Sequence, residues 1–253
     1  MTALALAAVV ALTNACGSIA VDSVGATLVS YVPSGGRETL FRSAEKMADD
    51  PRHLCFNGGA PICFPWVYDD EGRRADLHGC VWNVEWKRLE AKDENELRFG
   101  VEADGYSAEC AFRLGKSLDV TFSVRNMIVR DTPRKFCFAF HPFFAVSDVE
   151  KVVLRGLSDG DIPGRERLKG VFAAKEAEIV DPGYGRRIRV TSPDTNRLMV
   201  WNCGAAPRPC FAPGEWRRFL CLEPANNLAA DAISLAPLEQ AELRFSVRVE
   251  DSL

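Results

Sequence analysis

Histidine is scarce in this chain: 253 residues contain only His53, His78 and His141. Nine cysteines are present, yet no two are spaced as Cys-x-x-C and none clusters with a histidine, so the zinc-finger and thioredoxin-like patterns are excluded. No phosphate-binding loop and no dinucleotide fingerprint occurs, which removes the common nucleotide-dependent classes. Net charge is −4 with the two signs interspersed, and there is neither a basic block nor an acidic tail, so nucleic acid is not an expected partner. The longest apolar run, ALALAAVVAL at residues 3–12, is too short to span a bilayer. No long amphipathic helix, internal repeat, low-complexity tract or linker interrupts the chain, which predicts one domain over residues 1–253.

What is present is a period of two. In LRFGVEAD, Leu97, Phe99, Val101 and Ala103 alternate with Arg98, Gly100, Glu102 and Asp104. YSAECAFRL (106–114), LDVTFSVRN (118–126) and AELRFSVRVE (241–250) alternate in the same way, and DGYS, LGKS and RDTP read as turns. Only ANNLAADAISL (225–235) suggests a helical turn. With hydrophobic residues at 47% and charged residues at 26%, the balance is that of a globular protein. The prediction is an all-β fold, a large antiparallel β-sandwich. An odd number of cysteines, several inside apolar strand-like runs, fits free thiols in a reducing cytoplasm. The second reading is export or lipid anchoring through residues 1–16. It is opposed by the lack of Lys or Arg before the apolar run and by strand-like sequence immediately after it.

Three segments are candidate sites. In FAFHPFFAV (138–146), Phe136, Phe138, Phe140, Pro142 and Phe144 share one bulky face, while Cys137, Ala139, His141, Phe143 and Ala145 share the other. Small residues beside His141 leave room above the sheet, and Pro142 must end or bulge the strand. A ligand-facing histidine and a core histidine bonded to a carbonyl are equal readings here. The second segment is NGGAPICFPW (57–66), followed by DLHGCVWNVEW (76–86); Gly58–Gly59 permits close backbone approach and His78 precedes Gly79. The third is RRFLCLEPANN (217–227), where Glu223 ends an apolar stretch and is either paired or poised for proton transfer. His53 lies in a charged loop and reads as a surface residue.

These segments together resemble the aldose 1-epimerase (galactose mutarotase-like) superfamily, most closely its hexose-6-phosphate mutarotase branch. The carriers are SIAVDSVGATLVSYVPSGGRETLFRS, GGAPICFPW, HGCVWNVEW, FAFHPFFAVSDVEKVVLRGL, VWN (200–202) and CLEP (221–224), in family order from about residue 12 to 250. The resemblance implies an isomerase that interconverts sugar anomers with no cofactor and no metal. It implies Glu223 as general base at O1, His141 as general acid at the ring oxygen, and His78 hydrogen-bonding the ring side of the sugar. It also implies an aromatic support, for which Trp66, Phe143 and Trp201 are candidates; Phe143 and Trp201 read equally as core. The partner would be a small sugar or sugar phosphate, with no membrane, in a monomer or homodimer.

The chain departs from the branch where phosphate-binding arginines usually stand, with Asn57 before its first glycine pair and Trp82 after His78. The loop 203–214 also lacks the usual acid. Arg37, Arg52, Arg73, Arg74 and Arg208 are candidates for a relocated phosphate contact, with Arg73 and Arg74 favoured because they precede His78; Trp82 is alternatively a stacking surface for a neutral sugar. Three functions are in play. Mutarotation of an aldohexose or its 6-phosphate is the first, and non-catalytic carbohydrate binding on the same fold is the second. The third, polysaccharide processing, is weakened because no recognisable motif supplies a second carboxylate.

Overall fold

The computed structural model describes residues 8–44, 56–67, 77–129, 132–157, 160–163 and 169–251. Every strand pairing among them is antiparallel apart from one isolated bridge, Phe64 to Gly79. The predicted alternating segments are strands: Glu96–Ala103, Tyr106–Leu114, Leu118–Asn126 and Gln240–Asp251. They lie side by side in a nine-stranded sheet that continues through Arg186–Thr191, Glu176–Asp181 and Val153–Arg155. Their alternation places Phe112, Val120, Phe122 and Phe245 on the inner face, almost fully buried, while Arg113, Asp119 and Arg125 point outward.

Across the core stands a six-stranded sheet in the order Lys169–Phe172, Arg197–Trp201, Phe219–Asn226, Phe138–Phe140 and Ile62–Cys63, with Phe143–Ala145 also paired to Phe219–Asn226. Phe64, Phe136, Phe138, Phe140 and Phe144 fill the space between the two sheets. The predicted sandwich is therefore the observed architecture. The helical content among the described residues is two 3-10 turns, Glu215–Arg218 and Ala229–Asp231. The second lies in the stretch where a helical turn was expected, but Ala225 and Asn226 belong to the preceding strand. Val9–Asn14, from the apolar N-terminal run, pairs along its length with Gly17–Asp22; residues 1–7 lie outside the described set. No helix among the described residues is long and apolar enough to cross a membrane.

Two motifs act as scaffolding behind the second sheet. The Glu38 carboxylate accepts from the backbone of Tyr31 and Leu40 and from the Ser30 hydroxyl, closing the PSGGRETLF turn. Buried Arg186 then donates to the carbonyls of Glu38 and Ala145. Phe41 donates to the carbonyl of Phe143, so this turn holds one side of the segment that follows His141. The expectation of free thiols is met at Cys16, Cys63, Cys80, Cys110, Cys137, Cys203 and Cys221. It fails at Cys210, which is disulfide-bonded, so the inference from unpaired cysteines to a reducing compartment does not carry through that residue. Cysteine count and spacing could not reveal a bond between residues that only the fold brings together.

Candidate active site

The strand that carries His141 breaks where proline predicts it: Phe138–Phe140 ends, and pairing resumes at Phe143–Ala145. The break introduces no slip. Phe138 faces Asn226 and Ala139 faces Ala225 before it, and Phe143 faces Cys221 and Phe144 faces Leu220 after it. The same register carried through the gap sets His141 opposite Glu223, so these side chains are direct cross-strand neighbours. The backbone of His141 is satisfied on its other side by Pro61, and that of Phe143 by Gly59. Gly58 and Gly59 both have positive φ, and a Cβ at Gly58 would sit 2.2 Å from the Phe41 carbonyl oxygen, so this passage between neighbouring chains admits only glycine.

Cross-strand pairing arranges the face above the sheet in rows. Val171, Met199, Glu223 and His141 form one; Lys169, Trp201, Cys221 and Phe143 form the next; Arg197, Ala225, Ala139 and Cys63 lie on the other side. His78 enters from outside the sheet. Its backbone is left-handed, with φ 70°, and its N–H donates to Val67. Gly79 follows with φ 84° and a Cβ there would lie 2.0 Å from the Phe64 carbonyl oxygen, so this turn clamps onto Phe64–Val67 and fixes where the imidazole stands. The His78 ring centroid is 5.9 Å from that of His141, and Phe56 packs on both, at 4.5 and 5.4 Å.

The result is a cavity of about 220 Å³. Glu223, 1% exposed, and His141, 7% exposed, lie at its base with Nε2 and Oε1 3.5 Å apart. Phe143 stacks on the His141 ring at 4.9 Å and 13°, and Trp201 meets it edge-on. Burial pushes the Glu223 carboxyl well above the ordinary carboxylate range. It lowers His141 to about 3, with a further push from His78, and lowers His78 to about 4. Both imidazoles are therefore neutral at pH 7, and the contact between His141 and Glu223 is a place to share one proton rather than a fixed ion pair. Glu223 Oε2 and His141 Nδ1 are buried without a hydrogen-bond partner among the described residues, so each has capacity for a ligand hydroxyl.

Ligand atoms of His141, Cys221 and Glu223 all lie within 4.8 Å of one another, a donor set of nitrogen, sulfur and oxygen. Binding a cation there requires the Cys221 thiolate, and burial together with the neighbouring Glu223 pushes that thiol well up.

Of the residues singled out in the sequence, His78, His141, Glu223, Phe143, Trp201 and Arg208 line this one cavity. Phe143 is also fully buried in the apolar cluster above the sheet, so its core reading holds while its ring borders the cavity. Asn57 and Trp82 line a neighbouring depression instead, and Trp82 backs the site by packing edge-on against Phe56. Trp66 is not among the residues lining the cavity. Arg37 is elsewhere, over the Tyr184 ring. Arg52, His53, Arg73 and Arg74 lie outside the described residues. Cavity residues that the sequence did not single out include Phe56, Val67, Leu77, Lys169, Met199 and Phe211. Met199 had a signal, since it stands two residues before Trp201 in a strand and so shares its face. Lys169 had none.

This arrangement on a two-sheet antiparallel sandwich defines a galactose mutarotase-like protein, and comparison with known proteins agrees. The crystal structure of a "putative mutarotase" from Salmonella typhimurium superposes with a TM-score of 0.79 at 20% identity, covering 92% of this chain and 87% of that one. Two proteins named "Putative glucose-6-phosphate 1-epimerase" are similar in sequence. The one from Cenchrus ciliaris is 24% identical over 92% of this chain and 81% of its own length, and the one from Escherichia coli K12 is 25% identical over 89% and 84%. The family model "Aldose 1-epimerase" matches residues 8–168. The chain belongs to the aldose 1-epimerase family and is by class an isomerase.

Proposed function

We propose that the protein interconverts the α and β anomers of an aldohexose or an aldohexose 6-phosphate, with Glu223, His141 and His78 handling the protons. The observation that carries this reading is the juxtaposition of His141 and Glu223, 3.5 Å apart at the base of a cavity that His78 also lines. Ring opening takes the proton from O1–H and places one on the ring oxygen, while the C1–O5 bond breaks and C1=O1 forms. Rotation about C1–C2 and the reverse transfers close the ring on the other face. Glu223 is the base at O1 and His141 the acid at O5; His78 hydrogen-bonds the ring side and favours the open form.

Burial alone leaves the shared proton on Glu223. Sugar hydroxyls that donate to the carboxylate favour its charged form, so binding moves the proton to His141 and sets the starting state for opening. Phe143 and Trp201 supply the apolar support beside the sugar. The names of the relatives favour the 6-phosphate over the free sugar.

Polarimetry tests the reading: purified protein speeds anomeric equilibration of glucose, galactose or glucose 6-phosphate. Sugar binding by calorimetry with no acceleration of any hexose, free or phosphorylated, would instead select the non-catalytic reading. Polysaccharide hydrolysis has little support, because Glu223 is the only carboxylate lining the cavity among the described residues and glycoside hydrolysis ordinarily needs two.

A further inference from the structure

Two cations line the same cavity as the buried histidines and glutamate: Lys169 and Arg208, both exposed. Several other basic side chains are engaged by acids, as in Arg98–Glu109, Arg134–Asp104, Arg189–Glu178, Arg197–Asp231 and Arg244–Asp194. Lys169 and Arg208 have no ion-pair partner among the described residues, in a chain whose net charge is −4. The loop that carries Arg208, residues 203–214, holds no acidic residue. The only acid lining the cavity among the described residues is Glu223, buried at its base next to His141.

Both cations are held at the site by defined elements. Lys169 pairs with Trp201 across the sheet edge, and Trp201 pairs with Cys221. Lys169 is thus two strands and one row away from Glu223. At sheet spacings this sets their Cα atoms roughly 12 Å apart. An extended lysine covers about half of that. The remainder is comparable to a hexopyranose ring with one exocyclic carbon. The Arg208 loop is tied down at its start by Asn202, which donates to the carbonyls of Trp216 and Phe219 and accepts from Gly204. Phe211 of the same loop packs on Phe143 and Phe219, so the loop forms a wall of the cavity.

We infer that Lys169 and Arg208 form an anion-recognition pair for a phosphate ester borne by the sugar on a carbon remote from the anomeric centre. The inference rests on the mutarotase reading for the sugar and adds the residues that select its substituent. An arginine fork and a lysine point charge together suit a phosphate dianion, and the apolar walls between them and Glu223 keep the two charges of the substrate complex apart. These positions differ from Asn57 and Trp82, which line a separate depression.

The test compares glucose, glucose 6-phosphate and glucuronate in wild type, Lys169→Ala, Arg208→Ala and the double variant. Polarimetry gives kcat/KM for each sugar, and calorimetry gives binding of glucose 6-phosphate. The ratio of kcat/KM for glucose 6-phosphate over glucose is expected to fall roughly 100-fold in the double variant, mainly through KM. Binding should weaken in parallel and show a salt dependence that the double variant loses. A wild type that turns over glucose and glucose 6-phosphate equally well would overturn the anion pair and leave the mutarotase reading intact, as would a preference for glucuronate over the phosphate ester. A wild type that accelerates none of the sugars would overturn the catalytic reading. Calorimetry then still decides the pair: binding lost in the double variant upholds it, and absent or undiminished binding overturns it.

Discussion

The two large sheets of this protein use the same backbone pattern to opposite ends. In the nine-stranded sheet, Leu118–Asn126 alternates buried and less buried residues, because one face meets the core and the other meets solvent. In the six-stranded sheet, Phe219–Asn226 is buried at every residue. Leu220 and Leu222 belong to the core between the sheets, whereas Phe219, Cys221 and Ala225 belong to a second apolar cluster on the other face, where Glu223 also lies. A sheet covered on both sides can hold an ionisable group out of water, and the pKa shifts of Glu223 and His141 follow from that covering. The first sheet supplies stability and the second spends part of its burial on an unsatisfied acid.

The sharpest separation of these roles comes from paired substitutions. Phe122 is fully buried in the large sheet and packs against Phe64 and Phe138, at 5.2 and 4.6 Å. Phe122→Ala is expected to lower unfolding free energy by about 3–5 kcal/mol, read by urea titration. The folded fraction should keep kcat within about threefold. Glu223→Gln is expected to do the reverse: a loss of roughly 100-fold or more in kcat by polarimetry, with little change in the urea midpoint. Equal kinetic losses in the two variants would erase the division of labour between the sheets.

How far the sequence reveals this division depends on the covering as well. Alternation made the strands of the large sheet readable, because solvent-facing Arg113, Asp119 and Arg125 mark every second position. The same rule placed Phe138 and Phe140 in the core and Ala139 and Phe143 on the opposite face, since the sizes differ even where the polarity does not. His78 and Glu223 are short signals, one before a glycine and one before a proline, and their meeting with His141 was implied only by family resemblance. The contact of Met199 with Glu223 follows from register, which depends on pairing partners far apart in the chain. Lys169 carries no periodic or motif signal; Arg208 is one of five arginine candidates that the sequence could not rank first, and only the fold brings the two to one cavity. Asn57 and Trp82 show the converse: positions flagged by their departure from the family pattern lie beside the site, behind Phe56.

Lowered histidine values give the comparison a pH axis. A histidine at about 3 or 4 in the folded protein and near 6.5 unfolded leaves the unfolded chain binding more protons between those values. Stability should therefore fall as pH drops from about 6.5 toward 4, by about 1.4 kcal/mol per pH unit for each such histidine. Glu223 acts in the opposite sense, since its folded value is raised: its contribution is full below the ordinary carboxylate range and is lost as pH climbs toward the folded value. Urea titrations at pH 4.5, 5.5 and 6.5 should show the acid-side slope reduced by about one proton in His141→Asn. An unchanged slope would mean that His141 titrates normally.

The smallest effect concerns a pair that looks stronger on paper than the one in the site. Arg189 and Glu178 face each other across neighbouring strands of the large sheet, with Nη2 and Oε1 2.6 Å apart, shorter than the 3.5 Å between His141 and Glu223. Distance alone would rank the surface pair first. Arg189 is 38% exposed, however, and water and salt screen its attraction to the acid while holding both side chains in place opposes it entropically. Arg189→Ala is therefore expected to change unfolding free energy by no more than about 1 kcal/mol and kcat not at all. The His141–Glu223 contact is longer but buried, so removing either partner changes which atom carries the shared proton. A loss above about 2 kcal/mol for Arg189→Ala in urea would show that burial is not what separates the two pairs.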